Sequence, residues 1–425
     1  MLGAHQWRQR DQKKSLMKIL WVKSGGLLPA DTGGKRRSLA MLRALADLGH
    51  DLRFLALQED SVGVTPEESA DRYAREKIWV PWVAAAKGTP RFYADLLRNF
   101  LFSSRPYVLE RYESRLWEKK IHEGSEDRDL VVCDFLTPAL NFPAEKAGPP
   151  RVLFQHNVEA QIWRRMAATA RNPISRWYLS RQHARMVRWE RKLCGRFDGV
   201  IAVSPEDAAL MRRDYALKQV LGDVPTGVDT AEFQPPETLA SEPVVGFLGS
   251  MDWRPNVEGV LWFVREVLPA LRRAVPGVRL KIIGRNPTPS IRALAAAHGD
   301  IEVTGTVDEV QPHVHGCRVI AVPLLAGGGT RIKIFEAMAM GVPVVSTTIG
   351  AEGLPVTSGE HLLLADEAEP LATSTARVLQ EATLAQTLAA NARRLMEQRF
   401  SWRQVAEAFV GHCQKALNSS SGKKS

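Results

Sequence analysis

Two rhythms of apolar and polar positions alternate along this chain. Short, near-continuous apolar runs at MKILWV, DLRFLAL, DLVVCDF, RVLFQHN and GVIAVS are separated by stretches in which apolar residues recur three and four apart, such as SLAMLRALADLGH, which stops at Gly49. The first rhythm predicts strands buried on both faces, and the second predicts helices laid over them, so together they define a parallel sheet covered on both sides. From 221 to 243 the chain is rich in Pro, Gly and acids, has no apolar period and reads as a linker. Beyond it the alternation restarts with VVGFLGS, a helix from about Asn256 to Ala274, VRLKIIG, IEVTG, CRVIAVPL, VPVVST and HLLLAD, which predicts a second doubly wound α/β unit. The expected organisation is therefore a polar, disordered extension at 1–15, a Rossmann-like domain at 16–220, the linker at 221–243, and a second Rossmann-like domain at 244–399. A closing helix at 400–417 packs back on the first domain, and a polar tail follows at 418–425.

Composition narrows the setting. The 425 residues are 45% hydrophobic, enough for large cores, yet no run reaches the roughly 18 apolar residues of a membrane span. The first 16 residues are charged and lack the apolar centre of a signal peptide, so the expected location is the cytoplasm. The four cysteines, Cys133, Cys194, Cys317 and Cys413, are scattered without metal-ligand spacing and read as buried thiols.

Candidate chemistry gathers where glycines follow strands. Gly327, Gly328 and Gly329 come two residues after CRVIAVPL, at the carboxyl end of a strand where open parallel sheets bind ligands. Glycines let backbone N–H groups approach an anion, Thr330 is a good N-cap, and Arg331 and Lys333 are misplaced beside a helix N-terminus unless an anion sits among them. Gly33 and Gly34 with Lys35, Arg36 and Arg37, and Gly249 and Ser250 with Arg254, repeat this combination. No loop matches GxxxxGK[ST] or GxGxxG, which removes most support for kinase or dehydrogenase chemistry. Asp127 and Asp129 form a DxD, but they precede a strand instead of following one and read as solvated loop.

In their order, TGG at 32–34, FQHNVE at 154–159, PTGVDTAEF at 225–233, GSMDWRPN at 249–256, and GGGTRIKIFEAMAMGVPVVST at 327–347 with GAEGL at 350–354 resemble the GT-B glycosyltransferases. The resemblance is greatest to the retaining family 4 enzymes of bacterial exopolysaccharide clusters. It implies two Rossmann-like doubly wound parallel-sheet domains facing a central cleft, a UDP- or GDP-linked sugar as co-substrate, a glycan or lipid-linked acceptor, and no metal or further cofactor. In that family a Glu, seven residues and a second Glu mark the donor site. The second falls on Glu336 and implies binding of the ribose hydroxyls, whereas the first falls on Gly328, a departure. Ser250 is a second departure, where many relatives carry Arg. The resemblance and charge chemistry together assign the diphosphate to Arg254 and Lys333, and the resemblance gives His156 a catalytic place near the sugar, while Asn157 and Glu159 either hold that loop or face the acceptor. A binding protein without turnover, or a sugar-nucleotide epimerase, shares these features.

The formal charge of +10 is unevenly spread, because 160–196 holds ten Arg or Lys against Glu190 alone. Within it Arg181, Arg185, Arg188 and Lys192 recur on one helical face. This pattern fits either a core-packed helix with a solvated basic exterior or a helix lying on an anionic membrane surface, where Trp163, Trp177 and Trp189 would assist. No recognisable nucleic-acid module accompanies the charge.

Overall fold

A computed structural model describes residues 16–30, 32–59, 63–83, 85–86, 88–145, 148–170, 172–326 and 332–421. The chain divides into two compact units, one of Met1–Val224 with Glu407–Ser425 and one of Pro225–Ala406.

The first unit is built on β1 (Lys18–Lys23), β2 (Asp51–Glu59), β3 (Glu76–Trp82), β4 (Leu130–Asp134), β5 (Arg151–Phe154), β6 (Gly199–Ala202) and β7 (Val220–Asp223), all parallel, in the order β3-β2-β1-β4-β5-β6-β7. β1, β4, β5 and β6 are buried almost throughout, which explains why their sequences carry no alternation. Trp21 of β1 lies opposite Phe54 and Val132 and is fully buried, its ring 5.6 Å from Phe409 and 6.2 Å from Phe154. Phe409 belongs to the closing helix Trp402–Ser421, whose residues from Glu407 onward form part of this unit.

The second unit has β8 (Val244–Leu248), β9 (Arg279–Ile283), β10 (Ile301–Gly305), β11 (Val319–Val322), β12 (Val344–Ser346) and β13 (Leu363–Leu364), again all parallel, in the order β10-β9-β8-β11-β12-β13. Its helix Ile332–Ala339 buries Ile334, Phe335, Ala337 and Met338, with Phe335 stacked on Phe400 at 4.9 Å. In each sheet the strand order reverses once, at β1/β4 and at β8/β11. Connections leave these neighbours in opposite directions, and a crevice opens above their carboxyl ends.

Four details differ from the sequence expectation. β3 and β7 were not among the expected strands, because the apolar run of β3 is broken by Pro81, tolerated at this sheet edge, and the short β7 contains Gly222. The stretch read as linker from 221 therefore begins inside the first sheet. The closing helix continues to Ser421, through the first residues assigned to the tail. The helix expected over Asn256 to Ala274 contains a π turn at Phe263–Val267, just before Pro269, which has no N–H to donate. All four cysteines are buried and free.

Phe409→Ala removes a ring packed on two aromatic neighbours and is expected to destabilise the first unit by about 3–5 kcal/mol, read as a lower urea midpoint. An unchanged midpoint would show that the closing helix contributes little to that core.

Candidate functional site

At the β1/β4 switch point the first unit buries an ionic cluster. Lys23 Nζ ends β1 2.9 Å from Asp134 Oδ2 at the end of β4 and donates to Ser38 Oγ at 2.9 Å, while Trp21 Nε1 donates to the same carboxylate at 3.0 Å. His156 Nε2 lies 2.7 Å from Asp134 Oδ1. Burial opposes ionisation of Asp134, but the Lys23 ammonium outweighs it and holds the carboxyl well below the usual carboxylate range. Burial likewise pushes the His156 imidazole down to about 4, with Asp134 only partly compensating, so the ring is neutral at pH 7. His156 does not close a strand, since β5 ends at Phe154, and it is only 5% exposed.

The cover over His156 is Phe135. Its ring stacks on the imidazole at 3.9 Å, its backbone sits at φ 75°, a region that costs a bulky residue energy, and Lys23 Nζ lies 4.4 Å above its face. Gly34 makes room for it, because a Cβ there would meet Phe135 Cζ at 2.9 Å. Gly33 and Gly34 open the helix Gly33–Asp47, whose N-cap Thr32 accepts from Lys35 N. Lys35 and Arg36 donate to Pro29 O and Ala30 O in the loop before it, and the buried Arg37 donates to Val224 O at 2.7 Å.

The loop carrying His156 and the exposed Asn157 is fixed from below by Glu190. Val158, the N-cap of helix Glu159–Thr169, provides no side-chain cap. Instead the fully buried Glu190 carboxylate accepts from Glu159 N at 2.8 Å, Ala160 N at 3.0 Å, Gln155 Nε2 at 2.7 Å and Tyr215 OH at 2.6 Å. Burial pushes Glu190 up to about 7 against those four donors, and burial with Glu190 does the same to the half-buried Glu159. Glu190 thus holds in place a helix whose sequence lacks its own cap. Asp127 and Asp129 lie before β4, at the other end of the sheet. Asp127 pairs with Arg53 and Arg128, and Asp129 accepts from Lys18 N.

In the second unit, Gly249 and Ser250 follow β8. A Cβ on Gly249 would meet Asn256 Nδ2 at 2.6 Å, and one on Gly284, at the end of β9, would meet Gly249 O at 1.7 Å, so the two strand ends pass in direct backbone contact. Buried Asn256 links the elements, donating to Ser250 O at 2.8 Å and accepting from Lys333 Nζ at 2.7 Å. Lys333 Nζ also stands 4.8 Å over the Phe247 ring. Glu336, half-buried, is one helical turn beyond Lys333 on the same face. Arg254 opens the helix Arg254–Trp262, where its exposed side chain pairs with Glu258 at 2.7 Å. At Ser250, the position where family resemblance called for Arg, Arg285 Nε reaches the hydroxyl at 3.2 Å from the end of β9. Gly328, Gly329, Thr330 and Arg331 lie outside the described residues. Among the described residues no three of His, Cys, Asp or Glu cluster as metal ligands.

The basic face predicted on helix Pro173–Cys194 is only partly open. Arg181, Arg188 and Lys192 are exposed, but Arg185 is half-buried and donates to Phe100 O at 2.9 Å in helix Pro90–Phe102. Of the three tryptophans near it, Trp189 is buried, donating to Ser104 O, and Trp163 packs against the core, which leaves Trp177 exposed. No described helix is long and apolar enough to cross a membrane.

Sequence reasoning missed Lys23, Asp134, Phe135, Glu190, Asn256 and Arg285. The signal available was position, since five of the six stand at or just beyond a strand end or a helix start of the two switch points.

Two parallel-sheet units with cation- and glycine-lined switch points define a GT-B architecture. The Glycosyltransferase Family 4 model matches residues 32–232 and the Glycosyl transferases group 1 model matches residues 242–381, and the chain belongs to the GT-B glycosyltransferases of family 4. It is 22% identical over 363 residues, 83% of this chain and 88% of the relative, to an uncharacterised 44.6 kDa protein in the cps region of Klebsiella pneumoniae. It is 28% identical over 52% of its length to the phosphatidyl-myo-inositol mannosyltransferase of Mycobacterium leprae, of which it covers 59%. Among solved structures, Anabaena Alr3699/HepE in complex with UDP-glucose shares the fold with a TM-score of 0.59 at 16% identity, over 94% of this chain and all of that one.

Because His156 is held neutral in the fold, protonating it favours unfolding. Its contribution to stability is intact above about pH 6.5 and is lost as pH falls toward 4, by up to about 3 kcal/mol. Denaturant titrations of wild type and His156→Gln across this range should show the wild type losing stability faster on acidification. Parallel curves would mean that the imidazole titrates as it does in water.

Proposed function

We propose that this protein transfers a sugar from a UDP- or GDP-linked donor to a glycan or lipid-linked glycan acceptor, with retention of configuration and without a metal ion or further cofactor. One observation carries the reading. At the β8 end a buried Asn256 fixes the ammonium of Lys333 beside the backbone of Gly249, and the half-buried Glu336 follows one turn later. A cation at a glycine-lined strand end suits a diphosphate, and a carboxylate one turn away suits the two hydroxyls of a ribose. Arg285 and Arg254 flank this position and supply the charge that Ser250 lacks. The mannosyltransferase names of several relatives and the UDP-glucose complex of the Anabaena protein support a nucleotide-sugar donor.

The chemistry asked of these groups is electrostatic. As the bond from the anomeric carbon to the diphosphate breaks, negative charge builds on the leaving phosphate, and Lys333 with Arg254 and Arg285 stabilises it. A donor phosphate oxygen takes the acceptor proton on the same face of the sugar, so no second carboxylate is required. In the first unit neutral His156, with Asn157 and Glu159 beside it, serves the sugar and acceptor side, and Phe135 must turn aside for the imidazole to be reached. The protein works in the cytoplasm, with its basic helix surface against an anionic membrane.

Gly328, where the family carries its first Glu, favours a second reading, a protein that binds a sugar nucleotide without turning it over.

Incubating the protein with UDP-glucose or GDP-mannose and a glycan acceptor, and assigning the product anomer by proton NMR, tests both readings. An α-linked donor should give an α-linked product, and Glu336→Ala should raise the donor KM about tenfold or more, since losing hydrogen bonds to a charged group costs about 1.5–3 kcal/mol. An inverted anomer would remove retention, and tight binding with neither transfer nor hydrolysis would favour the second reading.

A further inference from the structure

Helix Pro90–Phe102 carries a row of apolar residues on its outer side. Tyr93, Leu97 and Leu101 recur every four positions, so they form one row, and each is 59% exposed. The one buried residue of the helix is a polar one, Asn99, whose amide donates to Arg105 O. Phe92, Leu96 and Phe100 on the other side are half-buried against the unit, so the exposed row is a second apolar face that packing does not account for. The row continues beyond this helix. Phe102, at its end, is 84% exposed, and Phe100 meets Trp177 of helix Pro173–Cys194 edge-on at 5.6 Å, with Trp177 itself 58% exposed. Large exposed apolar side chains gathered in one region mark a surface that is covered by something.

Charge says what covers it. Arg98 lies beside the row with its side chain 71% exposed, and Arg181, also exposed, holds its guanidinium 5.4 Å over the Phe100 ring. Arg188 and Lys192 extend the cationic face along the same helix. Segment 160–196, which supplies Trp177 and these cations, has ten Arg or Lys and a single Glu, and that Glu is buried. A second copy of the chain would bring this charge against itself. An apolar row with Tyr and Trp at its edge and arginines around it matches an anionic bilayer surface, in which leucines enter the acyl boundary, aromatic rings stay at the headgroup level and guanidinium groups meet phosphate.

We propose that the outward row of helix Pro90–Phe102, with Phe102 and Trp177, is the membrane-docking surface of this protein, and that Arg98, Arg181 and Arg188 select anionic lipid. This deepens the reading of a lipid-linked acceptor given above, and it moves the apolar contact from the basic helix to its neighbour. Arg185, which sequence periodicity placed on the docking face, joins the two helices instead.

The test is co-sedimentation of the full chain with phosphatidylcholine vesicles with and without phosphatidylglycerol, in the absence of nucleotide sugar and acceptor, so that it stands or falls apart from the transferase reading. Wild type should pellet with the phosphatidylglycerol vesicles. Leu97→Ser/Leu101→Ser should bind them about tenfold more weakly or worse, and Arg98→Gln/Arg181→Gln should lose the preference for anionic lipid. Both variants change exposed side chains, so an unchanged melting temperature confirms the fold. The proposal is overturned if wild type stays in the supernatant with both vesicle types, or if the leucine variant pellets as well as wild type. It is equally overturned if sedimentation velocity without vesicles shows an oligomer that the leucine substitutions dissociate, since the occupant would then be a second copy.

Discussion

Neighbouring strands that run parallel cannot be joined by a tight turn, and almost everything in this protein follows from that constraint. Each connection must return through a helix, so every strand delivers its carboxyl end to the same side of its sheet and every following helix presents its N-terminus there. At the two switch points these ends separate, at β1/β4 and at β8/β11. Backbone N–H groups and helix dipoles are therefore aimed at a crevice before any side chain is chosen, and the side chains found there sharpen a polarity that the topology has already set.

The two switch points are used differently. In the first unit, charge is taken inside: Lys23, Asp134 and His156 are almost wholly withdrawn from water, held by Trp21 and Ser38 and covered by a strained Phe135. Such a cluster adds little net stability, because desolvation consumes most of the Coulombic gain, but it fixes positions firmly. Glu190 does the same one layer out by capping a helix that cannot cap itself. In the second unit the cations stay nearer the surface, with Lys333 steered by Asn256 and Arg285 brought to Ser250 from an adjacent strand end. The first arrangement fixes positions, and the second is the one that the proposed reading gives to an anion.

Much of the fold was legible in the sequence, because strands buried on both faces must be continuously apolar and the glycine loops follow them. β3 and β7 were not read as strands, since Pro81 within the apolar run of β3 argues against a strand and the short β7 contains Gly222. Of the candidate site, the residues carried by motif could be named from the sequence, His156, Lys333 and Glu336 among them. Lys23, Asp134 and Asn256 were not, because a charged or amide side chain inside a sequence gives no sign of the distant partner that will satisfy it. Arg285 shows the same limit, as its relation to Ser250 exists only because β9 lies beside β8. Periodicity also found the basic helix but not which of its arginines turns inward, and it could not tell that the Pro90 helix leaves Leu97 and Leu101 outside. A period defines a face, and only packing decides what the face looks at.

The central claim is that the β8/β11 strand ends form a diphosphate site in which Lys333 carries a decisive charge. Calorimetric titration of wild type and Lys333→Ala with UMP and UDP, and with GMP and GDP, tests it most directly. The account predicts that the preferred diphosphate binds about tenfold or more tighter than its monophosphate, since one further charge-assisted contact is worth about 1.5–3 kcal/mol, and that Lys333→Ala closes most of this gap. Equal affinity for mono- and diphosphate in the wild type, or a gap that survives loss of the lysine, would contradict it.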